Sequence, residues 1–407
     1  MSDFVNTVDV VGDEALTASI IDRSITEIAD DTIENIGCYA FYECNALTSA
    51  NFPAATSIDI DAFAQCTALT TVNIPRATSI SMHAFERCEA LTEMSAPFVT
   101  AIHTFTFAYC KQLKTVNLPS VTSIGTNAFR NCENLTSVTC PLLSSVDLQV
   151  FAGCDALTTV YFPLLTDINQ GMFQYCDALT KVDLPAATSI RDTVFEECRA
   201  LTSADFPLVT SIGQCAFQNC IALTTVNIPL ATSIGSGAFR YCTSLTTANF
   251  PMAINVYDYS FQQCSALKTI DFTAATSIGN YAFETCKELT TVCLPAATSI
   301  GIYAFGSCFA LTKVDLPAAT SIARQAFSSC TKIHTLILRS ETVCTLDHLN
   351  GISSFASYSN HYIYVPRALV DSYKTATNWS NYASHYRALE DYTVDGTITG
   401  ELDETKI

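Results

Sequence analysis

A phenylalanine recurs every 22 residues fourteen times, from Phe41 through Phe63, Phe85, Phe107 and Phe129 to Phe327. The rest of the sequence keeps the same phase from Ile36 to Val343, without an insertion or deletion. A fixed period of this length restricts the fold more than any local propensity does, because each copy must be one unit of a solenoid. In the copy Ile300–Ser321, IGIYAFGSCFALTKVDLPAATS, residues Ala304, Phe305, Cys308 and Leu311 fall on one face of a helical turn. Val314 and Leu316 then alternate with Lys313 and Asp315, the period-2 pattern of a half-buried strand. Pro317 ends the pairing because it has no N–H to donate, and Thr320 and Ser321 lead to Ile322 of the next copy. A Gly after that Ile, as at Gly125, Gly213, Gly235, Gly279 and Gly301, suits a tight bend.

A single coil of this kind is not stable. Burying its five or six large apolar side chains yields roughly 1.5–3 kcal/mol each. Fixing its backbone costs on the order of 1–2 kcal/mol per residue. The cost is the larger of the two, so stability must come from stacking on neighbouring coils. The expected architecture is therefore a repeat solenoid with a short strand and a helical turn per coil, a parallel in-register sheet, and a cap at each end. The fuller pattern I-G-x-x-A-F-x-x-C-x-x-L-T-x-V-x-L-P resembles the BspA-like leucine-rich repeats of bacterial and protozoan surface proteins. That resemblance implies a curved, right-handed superhelical solenoid with a recognition or adhesion role. It extends to the tail, where the YIYVP–LVDSYK–NW run is similar to tails that follow such repeats in gut bacterial and prophage-encoded proteins.

The domains read as a leader over 1–20, an N-terminal cap over 21–35, fourteen repeats over 36–343, a C-terminal cap over 344–390 and an acidic tail over 391–407. In the first cap, Ile25, Ile28 and Ile33 sit near core positions of a degenerate coil. In the second, Tyr362–Val365 reads as a strand and Arg367–Leu389 as a helix with Tyr373, Trp379, Tyr382 and Tyr386 on its apolar side. Cys344 falls at the Ile register of a fifteenth coil and is expected in the core. The start has no basic segment or long apolar run, so no secretory signal is expected, and no stretch is long enough to span a membrane.

Fourteen of the 19 cysteines share one repeat position, from Cys44 to Cys330. They are expected as a ladder of small buried thiols between Phe and Leu. Neighbouring coils lie within the Cα range a disulfide tolerates, but stacked side chains point alongside rather than at one another. Cys293 is expected on the outer side of the sheet.

The net charge of −19 argues against nucleic acid and anionic membranes, which reward Lys and Arg. No nucleophile elbow, P-loop, dinucleotide fingerprint or H-E-x-x-H is present, so no enzyme, cofactor or metal is assigned. His83 and His103 lie in adjacent coils but are offset by two repeat positions. The stacked carboxylates Asp183 and Asp205 read as a solvated acidic stripe, with a cation site the alternative.

The expected function is a binding scaffold for a protein or surface glycan, adhesin-like or as a phage or prophage receptor-binding protein. A structural spacer of a virion or cell surface, and a threonine array that orders water, are the alternatives. Two faces compete for the partner. The sheet face, with Lys181, Asp183, Asp205, Asn227 and Asn249, is nearly uniform. The edge flanking the A-F-x-x-C turns varies from coil to coil and carries Tyr241, Tyr257, Tyr259, Tyr281 and Tyr303. Aromatic and Arg side chains dominate binding energy, which favours the variable edge. Replacing Tyr259 and Tyr281 is expected to leave stability nearly unchanged.

Overall fold

A computed structural model describes residues 22–348, 352 and 361–391. The sequence-based leader, nearly all of the acidic tail and most of the loop after His348 lie outside these residues. The chain divides into two compact units, residues 1–202 and 203–407.

In the first unit each coil contributes a three-residue strand and a two-residue strand, as in Ser49–Asn51 and Ser57–Ile58. Both pair in parallel with the equivalent strands one period on: Ile28 with Ala50 and Ala50 with Val72 along the longer strands, Ile36 with Ile58 and Ile58 with Ile80 along the shorter. The 22-residue phase thus becomes in-register pairing, and Glu27–Ala29 joins it as the degenerate coil expected near the N-terminus.

The second unit repeats the plan. Its short strands run Ile212, Ile234, Val256, Ile278, Ile300, Ile322 in register. The next partner of Ile322 is Leu346 rather than Cys344. The period therefore lengthens by two residues after Leu338; Cys344 is buried as expected but does not hold the Ile register. The sheet then continues past the repeats: Tyr362–Val365 pairs in parallel with Thr335–Leu338, and Tyr386–Ala388 pairs with Tyr362–Val365.

The expected helix over Arg367–Leu389 is broken. An α-helix covers only Val370–Thr375, Ala376 is extended, and Asn378 is left-handed with φ 66°. Tertiary bonds account for the bend. Tyr373 accepts from the Cys344 N–H at 2.9 Å, the Trp379 indole donates to the Cys344 carbonyl at 2.6 Å, and Asn378 Nδ2 donates to the Leu346 carbonyl at 2.6 Å. A continuous helix would not bring these three groups to one strand.

The core is layered. The ladder phenylalanines are all fully buried, and within each unit they stack face to face: centroids are 4.8 Å apart for Phe41–Phe63, 5.8 Å for Phe151–Phe173 and 5.1 Å for Phe217–Phe239. Volumes compensate inside three of the coils. Where the long strand carries Ala50, Ala204 or Ala248, the core residue two positions on is Phe52, Phe206 or Phe250. Beside the phenylalanines, each ladder thiol of known partner donates to the Phe carbonyl of the preceding coil, as from Cys66 to Phe41 at 3.0 Å and Cys264 to Phe239 at 3.1 Å. That carbonyl also accepts from its own coil's Cys N–H, so the small thiol fills a gap and meets an acceptor's second lone pair.

Candidate functional site

The segment expected as a helical turn is a run of turns with two left-handed residues per coil. One series runs Tyr39, Asp61, His83, Phe105 and onward to Tyr259, Tyr281, Tyr303 and Gln325; the other runs Glu43, Gln65, Arg87, Tyr109 and onward to Ser329. Glycine fills these positions only at Gly153, Gly171 and Gly237. Elsewhere a side chain stands where a Cβ costs roughly 1–2 kcal/mol. The offset is a hydrogen-bonding seam. The two left-handed residues of a coil lie four apart and bracket a stretch in which every second N–H points along the stacking direction. Tyr259, Phe261 and Gln263 donate to the carbonyls of Asn280, Ala282 and Glu284 at 2.9, 2.7 and 2.8 Å. Side chains at the left-handed positions therefore project side by side from a rigid backbone, one per coil. No regular spacing of Gly marks the series, so it escapes a reading of residue types; the scatter of Asn, Asp and Gly at one repeat position is its trace.

The glycines after the ladder Ile have another cause. Gly235, Gly279 and Gly301 have no positive φ; a Cβ on Gly301 would lie 2.6 Å from the Gly279 carbonyl carbon. At these glycines the close backbone of the neighbouring coil, rather than a positive φ, crowds a Cβ, whereas other coils carry Asp59, Arg191, Tyr257 or Ala323 at the same repeat position.

In the second unit the structure brings most of the expected tyrosines together. Tyr259, Tyr281 and Tyr303 are half-buried and stack in parallel, with centroids 5.1 and 5.3 Å apart. The Arg240 guanidinium lies 5.3 Å from the Tyr259 ring and 4.8 Å from the Tyr241 ring, and its Nη2 reaches the Tyr241 hydroxyl at 3.3 Å. Four of the five residues thus form one Arg-linked stack, while Tyr257 stands apart and is exposed. Sequence reasoning missed Arg240 as the link, although it sits between Phe239 and Tyr241.

The alternative residues lie on the exposed face of the long strands. Lys181 and Asp183 belong to the first unit. In the second, Asn227 Nδ2 donates to Asp205 Oδ1 at 2.7 Å, and Asn249 ends the strand Thr247–Asn249, opposite Asp271. Cys293 is exposed on this face, as expected. In the first unit a cavity of about 430 Å³ opens on the same face, lined by Asn73, Glu93, Ser95, Thr115 and Asn117 around Val72 and Met94. No sequence signal singled it out.

The threonine rows are engaged by the backbone. Thr70 donates its hydroxyl to the Thr48 carbonyl at 2.8 Å, and Thr312 to Thr290 at 3.1 Å. Hydroxyl hydrogens held this way are not available to order water. His83, read in the sequence beside His103, instead meets Glu86 at 2.7 Å and lies near Asp61, whereas His103 is exposed and outside that group.

No helix among the described residues is long and apolar enough to cross a membrane. A comparison with curated proteins finds no match. Among solved structures, a leucine-rich repeat protein from Bacteroides ovatus is similar at 20% identity, covering 89% of this chain and 91% of that one with a TM-score of 0.57. A leucine rich cell surface protein from Faecalibacterium prausnitzii matches at 26% identity over 66% of this chain and 84% of its own, with a TM-score of 0.43. The family model described as a BspA type leucine rich repeat region matches residues 11–119, 34–158, 78–202, 188–297 and 255–366. These windows overlap from end to end and take in every coil with the Phe–Cys layer, so the chain belongs to the BspA-type leucine-rich repeat family.

Proposed function

We propose that this protein is a non-enzymatic binding scaffold, adhesin-like or receptor-binding, whose partner is a protein or surface glycan and docks on the turn edge around Tyr241, Tyr257, Tyr259, Tyr281 and Tyr303. Repeat scaffolds of this family are typically used for protein binding or surface roles, which supports the general class. The observation that carries the location is the Arg240–Tyr259–Tyr281–Tyr303 stack. Its rings are immobilised before any partner arrives, so little side-chain entropy is lost on binding. Tyr and Arg are also the residue types that most often dominate interfaces. Around Asp205, Asn227 and Asn249 the long-strand face offers small polar groups, and Asp205 and Asn227 are already bonded to one another.

The test is an array of purified cell-surface polysaccharides and host matrix proteins, probed with wild type, Tyr259→Asn/Tyr281→Asn and Asp205→Ala/Asn227→Ala. Asn is chosen because it tolerates the left-handed backbone. Loss of the tyrosines should weaken binding to any captured ligand by at least about 1 kcal/mol. Because the rings stack, it should also cost stability, about 0.5–1.5 kcal/mol per aromatic pair; the sequence-based expectation of unchanged stability does not survive the stacking. A ligand lost by the Asp205/Asn227 variant and kept by the tyrosine variant would move the site to the sheet face.

A further inference from the structure

In the first unit, four consecutive coils carry Tyr39, Asp61, His83 and Phe105 at the same left-handed position, with φ of 58°, 55°, 59° and 55°. In-register stacking sets their side chains in one row. The His83 ring lies flat on Phe105, with centroids 5.2 Å apart and planes 10° apart. The Asp61 carboxylate lies beside Tyr39 and, by charge first and then by hydrogen bond, raises that phenol above its ordinary value. Glu86 turns back to His83, with Oε2 2.7 Å from Nδ1. One ligand atom each from Asp61, His83 and Glu86 lies within 4.8 Å of the other two.

We propose that Asp61, His83 and Glu86 bind a divalent first-row transition ion. The donor set is two carboxylates and one imidazole. Imidazole directs the site away from Ca²⁺ and Mg²⁺, which take oxygen ligands, and toward the zinc class. Metal–ligand bonds of about 2.0–2.2 Å require the donors to draw together, which side-chain torsions can supply while the backbone seam stays fixed. The Tyr39 phenol stands beside the Asp61 carboxylate, and Phe105 stacks on the imidazole and sets its plane. The His83 and Glu86 side chains are 30% and 23% exposed, buried enough to be ordered and open enough for an ion to enter. The neighbouring cation, Arg87, is turned away onto the Tyr109 ring at 4.6 Å, so it does not compete for the carboxylates. Three protein ligands leave the remaining positions to water.

The test is titration of the full, reduced chain with Co²⁺ followed by absorption, then competition with Zn²⁺. Expected is one saturating equivalent with the weak visible bands of oxygen and nitrogen ligands. His83→Asn should weaken binding at least tenfold with unchanged circular dichroism, as should Asp61→Asn as a second variant. His103→Asn should leave it unchanged. Absence of saturable binding at millimolar Co²⁺, retention of binding in both variants, an intense thiolate charge-transfer band, or loss of binding on replacing the exposed Cys38 by Ser would each overturn the assignment.

Discussion

The left-handed series makes an unusual prediction, that replacing threonine by glycine stabilises this protein. Thr285 has φ 64° and Thr193 has φ 56°. Both are β-branched, the side-chain class least suited to this region. Gly153 already fills the position of Thr285 at φ 71°, and Gly171 and Gly237 fill that of Thr193 at φ 62° and 63°. Removing the Cβ relieves roughly 1–2 kcal/mol of local strain. Glycine returns about 0.5–1 kcal/mol through its freer unfolded chain. The Thr285 N–H still donates to the Gly306 carbonyl at 2.7 Å, so no backbone bond is lost. The net gain is up to about 1.5 kcal/mol per site, centred on about 0.7 kcal/mol, or about 1–3 °C at that centre for a unit of this size. Calorimetry of Thr285→Gly and Thr193→Gly should show it. Thr291→Gly, in the strand Thr291–Cys293, supplies the control, because there the same change only adds chain entropy and should destabilise. Destabilisation of all three to the same degree would refute the argument that the seam stores strain.

Three other perturbations follow from the packing. Gly301→Ala should lower stability by about 1–3 kcal/mol in a urea melt, because its Cβ meets backbone rather than a movable side chain; a change under about 0.5 kcal/mol would show that the coils shift apart there as they do at Ala323. Burial raises the thiols of Cys88, Cys110, Cys154, Cys198, Cys242 and Cys286 well above the ordinary value of 9.0. Such groups bind more protons folded than unfolded once pH exceeds 9, so stability should be full below that value and fall steeply above it, where a flat melting profile to pH 10.5 would contradict the burial. Deleting residues 345–407 removes the Tyr373 and Trp379 bonds to Cys344 and uncovers the last coil, and light scattering should report aggregation; a monomer with an unchanged melting temperature would show that the C-terminal segment is not a cap.

The apolar layer was readable in advance because one side chain repeats at one spacing: the 22-residue phase alone places Phe305 over Phe283 and Cys308 beside them. The left-handed seam was not, because its conformation is imposed by hydrogen bonds between coils, and residues as different as Tyr303, Thr285 and Glu43 accept it. The candidate binding edge was legible as a variable position, and Tyr259, Tyr281 and Tyr303 fall into the stack that their spacing implies. The proximity of Asp61 to His83 follows from the same spacing, but the return of Glu86 depends on a turn the periodicity does not describe. The tail misled for a tertiary reason. Arg367–Leu389 has a helical pattern, but the bonds to Cys344 and Leu346 require the chain to bend at Ala376–Asn378.

Cysteine labelling read by mass spectrometry tests the central arrangement most directly, because one thiol per coil reports on every layer. The ladder cysteines from Cys44 to Cys330 are buried free thiols, whereas Cys38 and Cys293 are exposed. Alkylation of the native protein should modify Cys38 and Cys293 and spare the ladder. Alkylation after unfolding without reductant should modify all of them. Native modification of ladder cysteines within either unit, or their continued protection in the unfolded chain, would contradict the stacked Phe–Cys core.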